Sequence, residues 1–174
     1  RILSPIPPNI LTISGLIIVI IACFFIGFQK YRIGGVILLL GTLIDSIDGE
    51  MARRTGRVST FGAFLDSTLD RYSDYFIFIS ITLAGRDSLL ALLCLLALLG
   101  SFLTSYVRAR ADSLGYDIKQ GFITRTERIA LVIIGLIAGN NFLIYFIIAL
   151  AAGTNITAIQ RIVVAYKRMK YGGN

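Results

Sequence analysis

LIDSIDGEMARRTGRVSTFGAFLDSTLDR, Leu43 to Arg71, places four aspartates, Asp45, Asp48, Asp66 and Asp70, between two strongly apolar runs. Asp45 and Asp48 are three apart, Asp66 and Asp70 four apart, and either spacing puts a pair on one face of a helix. The basic stretch between the pairs is short, so the helices are expected to be antiparallel neighbours with all four carboxylates converging. Converging like charges repel in a low dielectric, and each acidic group costs about 2.5–3.5 kcal/mol on membrane insertion scales. Something positive must sit among them. Oxygen donors suit one or two hard divalent cations, Mg²⁺ or Mn²⁺. The chain has no histidine, and its two cysteines, Cys23 and Cys94, lie in apolar runs as buried structural thiols. The competing reading pairs the aspartates with Arg53, Arg54, Arg57 and Arg71, and Arg71 with Asp74 at spacing three. An EF-hand reading of DSIDG fails on ligand spacing.

Working outward, 56% of the 174 residues are hydrophobic and 16% charged, and mean hydropathy is +0.79. The bilayer is the expected solvent. Apolar runs of about the length a helix needs to cross the hydrocarbon predict six spans, near residues 9–29, 33–54, 61–84, 88–110, 122–139 and 142–165, an all-α integral membrane protein with six transmembrane helices. Asn9, after the proline pair, marks the first helix start. Lys30, Arg32 and Arg86 fall on one side. Arg1, Arg53, Arg54, Arg57, Arg108, Arg110, Lys119, Arg125, Arg128 and the tail KRMK fall on the other. The positive-inside rule puts that second side, with both termini, in the cytoplasm of a multi-pass cell-membrane protein. The net charge of +7 is therefore a topology signal and not a nucleic-acid surface. Residues 1–170 read as a single six-helix catalytic domain and 171–174 as a short tail. The start at Arg1, already at a proline-rich entry, reads as trimmed, with an upstream segment missing. Without histidine, Ser-His-Asp and Cys-His mechanisms are excluded, and any acid or base must be a carboxylate, lysine or tyrosine.

Gly49, Ala52 and Gly62 leave helix faces without bulk, so that a flat or anionic ligand can approach the backbone. Arg53, about one turn beyond Asp48, can meet a phosphate bidentately. Metals plus a phosphate-directed arginine at a membrane surface point to phosphoryl chemistry on a lipid. The pattern Asp45-xx-Asp48-Gly49-xx-Ala52-Arg53, then Gly62-xxx-Asp66-xxx-Asp70, resembles the complete signature of the CDP-alcohol phosphotransferase family, and the entry Pro8, Asn9, Thr12 is similar to that family's first-helix start.

The resemblance implies the CDP-alcohol phosphotransferase fold, a homodimer of six-helix subunits, and an active site open to the cytoplasm. It implies transfer of a phosphatidyl or archaetidyl group from a CDP-linked lipid to an alcohol, with release of CMP. Carried over by position, Asp45, Asp48, Asp66 and Asp70 hold two metals, and Asp70 is the general base. Asn9, Thr12, Asp45, Asp48, Gly49, Ala52, Arg53, Gly62 and Asp66 line the CDP site. SYVRARAD and TRTER resemble the branch acting on inositol 1-phosphate, in which residues matching Arg108, Arg128 and Arg161 bind the acceptor's phosphate. Arginine at 108 departs from the lysine common in bacteria. A topological role competes for all three arginines, and glycerol 3-phosphate is the nearest competing acceptor. An intramembrane prenyltransferase would carry its acidic motifs far apart in a longer bundle. A cation carrier would show internal repeats and broken helices, and neither is apparent.

Overall fold

The computed structural model describes residues 8–54, 59–118 and 121–171, with side chains described for 12–44, 59–118 and 121–171. The described residues form six helices and no strands: α1 Pro8–Gly27, α2 Tyr31–Arg54, α3 Thr60–Ala84, α4 Ser88–Ser113, α5 Arg125–Ala138 and α6 Asn140–Tyr171. Contacts divide the chain into two compact units, Arg1–Ala84 and Gly85–Asn174.

In the first unit α1 packs against both α2 and α3. Gly34 permits the α1–α2 approach, since a Cβ there would lie 3.0 Å from the Ala22 carbonyl oxygen. Gln29 turns the chain between α1 and α2 in the left-handed region, at φ 60°, and its Nε2 donates to the Ala84 carbonyl at 2.9 Å. One hydrogen bond thus gathers the end of α1, the start of α2 and the end of α3. Ser59 caps the opposite end of α3, its Oγ accepting from Gly62 N at 2.9 Å, which satisfies a donor that the first helical turn leaves unpaired.

In the second unit α4 and α5 each pack on α6. Asp87 caps α4 by accepting from Leu89 N at 2.9 Å. The start of α5 is fixed by a capping box, in which Thr124 and Glu127 satisfy each other's end of the first turn. This is why α5 begins at Arg125, three residues later than the hydropathy suggests. A single residue, Gly139 at φ 95°, joins α5 to α6. The α4–α6 seam is built from small and hydroxyl residues, as suits helices that approach closely. Asn155 Nδ2 donates to Leu96 O at 2.9 Å, and a Cβ on Gly100 would lie 2.7 Å from Thr154 Cβ.

The expectation of six membrane-crossing helices is met only in part. Among the described residues, α4 and α6 are long and apolar enough to cross a membrane. Over the residues with described side chains, α1 and α2 offer the shorter apolar stretches Thr12–Gly27 and Tyr31–Ile44, and α5 has only 14 residues, about 21 Å of helix against about 30 Å of hydrocarbon. The ends of α2 and α3 that carry the aspartates are the polar ends of those helices. The outward surface is nonetheless rich in large apolar side chains, among them Phe24, Phe28, Leu83 and Tyr145, more than a soluble domain exposes.

Candidate functional site

The shared end fixed by Gln29 sets the depth of every signature residue in the first unit. Asp45 stands fourteen residues into α2 from Tyr31, Asp70 fourteen before the end of α3 at Ala84, and Thr12 fifteen before the end of α1 at Gly27. At about 1.5 Å per residue all three lie about 21–22 Å from the common end. Asp48, Asp66 and Asn9 lie seventeen or eighteen residues from it, on a second level about 26–27 Å away. The two aspartate pairs and the α1 entry therefore occupy two matched levels, one turn apart, at the same end of the unit. Gly49, Ala52 and Arg53 continue α2 beyond them, and Gly62 opens α3. The side chains of Asn9, Asp45, Asp48, Gly49, Ala52 and Arg53 lie outside the described residues.

On α3 the hydroxyl groups are consumed locally. Ser67 and Thr68 donate to Phe64 O at 2.9 and 2.8 Å, and Ser73 to Leu69 O at 3.0 Å, the usual way a helix absorbs hydroxyls. Carboxylates only accept, so Asp66 and Asp70 cannot be satisfied by their own helix carbonyls. Asp66 is exposed and Asp70 half-buried. Arg71 Nη2 reaches Asp70 Oδ2 at 3.7 Å, a partner adjacent in sequence. Among the described residues no group of three or more candidate ligands forms a metal site. Two all-oxygen donors one turn apart on α3 suit a hard divalent cation and no softer metal, while α2 and α3 each pack chiefly on α1 rather than against one another among the described residues.

The second unit brings the three predicted arginines together. Arg128 and Arg161 are buried, at 3% and 6% exposure, on α5 and α6. Arg161 lies within electrostatic reach of Arg108, Arg128 and Asp112. Its Nη1 donates to Thr104 O at 2.6 Å, one turn before Arg108 on α4. This supplies the partner that an arginine within apolar sequence requires. Arg108 is exposed, and its Nε stands 3.8 Å from Asp112 Oδ2. Three cations with one carboxylate between them form a site suited to a small dianion. Sequence reading missed Asp112, although its position four residues after Arg108 was a usable signal. It also missed the Thr104 carbonyl, which no side-chain pattern announces.

A small-anion site of arginines and a level set of aspartates define a class, enzymes of phosphoryl transfer that work on anionic substrates. The sequence profile for CDP-alcohol phosphatidyltransferase matches residues 6–167, and the chain belongs to that family. It is 40% identical over 168 residues to the archaetidylinositol phosphate synthase of Methanothermobacter thermautotrophicus, covering 94% of this chain and 85% of that one. It is 37% identical to the phosphatidylinositol phosphate synthase of Cutibacterium acnes, covering 86% and 79%. The fold matches the crystal structure of Mycobacterium tuberculosis phosphatidylinositol phosphate synthase with CDP-DAG bound at a TM-score of 0.85 and 31% identity, over 92% of this chain and 87% of that one. The same enzyme in complex with manganese and citrate matches at 0.85 and 30%, over 92% and 83%.

Proposed function

We propose that this chain transfers a phosphatidyl or archaetidyl group from a CDP-linked lipid to a hydroxyl of inositol 1-phosphate, releasing CMP. The observation that carries the choice of acceptor is the gathering of Arg108, Arg128 and Arg161, since a free alcohol would need no such charge. The names of the archaeal and bacterial relatives, an archaetidylinositol phosphate synthase and a phosphatidylinositol phosphate synthase, support the same reading.

In this reading the three arginines hold the acceptor's phosphate, Arg161 from a guanidinium already fixed by Thr104. Asn9, Thr12, Gly49, Ala52, Arg53 and Gly62 line the CDP site, where Arg53 meets a phosphate and the small residues admit the nucleotide. Asp70 takes the proton of the attacking hydroxyl, whose oxygen bonds to the lipid-bearing phosphorus as the bond to CMP breaks. Asp45, Asp48, Asp66 and Asp70 would hold two divalent cations, Mg²⁺ or Mn²⁺, which when bound supply neutralisation of the pyrophosphate charge. The relative solved with manganese supports a divalent ion. All six helices enter the bilayer, the shorter ones with their polar ends at the interface. The aspartate end and both termini face the cytoplasm, and the working form is a homodimer.

The test is CMP release by the purified protein in detergent with Mg²⁺. CDP-diacylglycerol and CDP-archaeol are each offered with inositol 1-phosphate, glycerol 3-phosphate, free inositol or serine. Release that needs the metal and inositol 1-phosphate is the expected result, with EDTA abolishing it and Mn²⁺ restoring it. Preference for glycerol 3-phosphate, or equal use of free inositol, would overturn the acceptor assignment. Metal binding without CMP release from any pair would favour a cation carrier.

A further inference from the structure

The connection from α4 to α5 is fastened to α6 at successive points. Arg168 Nη1 donates to Asp117 O, Ile118 is fully buried, and Ile123 N donates to Thr157 Oγ1 at 3.0 Å. Between the last two lies Gly121. A Cβ there would meet Thr157 Cγ2 at 2.7 Å and Arg161 Nε and Nη2 at 3.1 Å. The backbone of Gly121 therefore rests against the Arg161 guanidinium, whose Nη1 is bonded to Thr104 O.

From this arrangement we infer that Gly121, held down by the Ile123–Thr157 hydrogen bond, is a positioning residue that fixes the Arg161 guanidinium for the acceptor's phosphate. The inference rests on the acceptor reading above and adds to it the residues that aim one of the arginines. The physical argument is the asymmetry of the two neighbours. Thr157 is β-branched, so its side chain is stiff, and its hydroxyl is committed twice, donating to Gly153 O at 2.7 Å and accepting from Ile123. Arg161 ends in a long, flexible side chain. A methyl group at 121 therefore displaces the guanidinium or lifts the connection from Thr157, and either movement detunes an anion site whose hydrogen bonds depend on direction.

The same geometry supplies a compensating change. Thr157→Ser deletes Cγ2, the atom nearest the added methyl, and keeps the Oγ that accepts from Ile123. The experiment compares the unsubstituted protein, Gly121→Ala, Thr157→Ser and the double variant, all full length in detergent. Two readouts are taken: CMP release at varied inositol 1-phosphate and varied CDP-lipid, and hydrogen exchange of peptides spanning 121–124. Gly121→Ala should raise the acceptor KM about tenfold while leaving the donor KM and kcat within about twofold. Exchange at 121–124 should quicken, and the double variant should recover most of both effects. A general folding defect would move both KM values and would not be repaired by Thr157→Ser. An unchanged acceptor KM, or equal changes for donor and acceptor, would overturn the positioning role. If the unsubstituted protein turns over no phosphorylated acceptor, the acceptor reading fails, and the positioning role fails with it. Exchange then reports separately whether the fastening to Thr157 exists.

Discussion

At the scale of single residues, Asp66 and Asp70 illustrate what a spacing of four can and cannot say. Their shared face follows from the helix period alone, and the structure leaves Asp66 exposed and Asp70 half-buried, with Ser67, Thr68 and Ser73 committed to their own helix. Their division of labour does not follow from spacing, because both are carboxylates at adjacent levels. Asp70 has Arg71 beside it; in the proposed reaction both aspartates hold metal and Asp70 also takes the proton. Asp70→Asn and Asp66→Asn should each lower CMP release by about a hundredfold or more, the range for losing an acid–base group or a metal ligand. Both variants should still insert and purify. Mn²⁺ binding, followed by the loss of free-ion signal in electron paramagnetic resonance, should weaken with Asp66→Asn. Normal turnover in either variant would sink the site assignment. Across the second unit, Arg128 and Arg161 were legible as arginines out of place in apolar sequence. The carbonyl that holds Arg161 was not, because Thr104 is 57 residues away and every residue carries a carbonyl.

At the scale of elements, hydropathy located all six helices but misplaced the ends that chemistry decides. The start of α5 is set by Thr124 and Glu127, a capping pattern present in TRTER, where apolar Phe122 and Ile123 had suggested an earlier start. The end of α6 runs to Tyr171, beyond the apolar stretch, because Lys167, Arg168 and Lys170 suit the negative end of a helix dipole. Packing between elements was not legible at all: Gly100 is one glycine among 17, and only the fold sets it against Thr154 and Asn155. That contact lies one turn from Thr104, so the α4–α6 seam also holds the carbonyl to which Arg161 donates. Gly100→Val should destabilise the protein by about 1–3 kcal/mol through overpacking, seen as a lower midpoint of thermal unfolding in detergent. It should also raise the acceptor KM more than the donor KM, since separating α4 from α6 pulls Thr104 from Arg161. An unchanged midpoint would mean the seam relaxes freely and does not support the site.

At the scale of the whole molecule, the open question is how a chain with only two plainly membrane-length helices among its described residues lives in a bilayer. Charge answers more firmly than length. Connections near Lys30 and Arg86 carry few cations, while the stretches around Arg53, Arg108, Lys119 and Arg125 are dense with them, and such a bias fixes orientation even for helices that barely reach across. The short α5 can be accommodated by local thinning of the membrane, at a modest cost per ångström of mismatch. The ends of α4, Ser88 and Ser113, are both exposed and about 37 Å apart along the helix, so they report the orientation directly. With Cys23 and Cys94 replaced by alanine, Ser88→Cys and Ser113→Cys are introduced separately and treated with a membrane-impermeant maleimide in sealed, right-side-out cells and then in inverted vesicles. Ser88→Cys should react only from outside and Ser113→Cys only in the inverted vesicles, while activity in detergent is retained by both. Reaction of both cysteines from one side would show that α4 does not span, and reversed sides would overturn the orientation read from the charge bias.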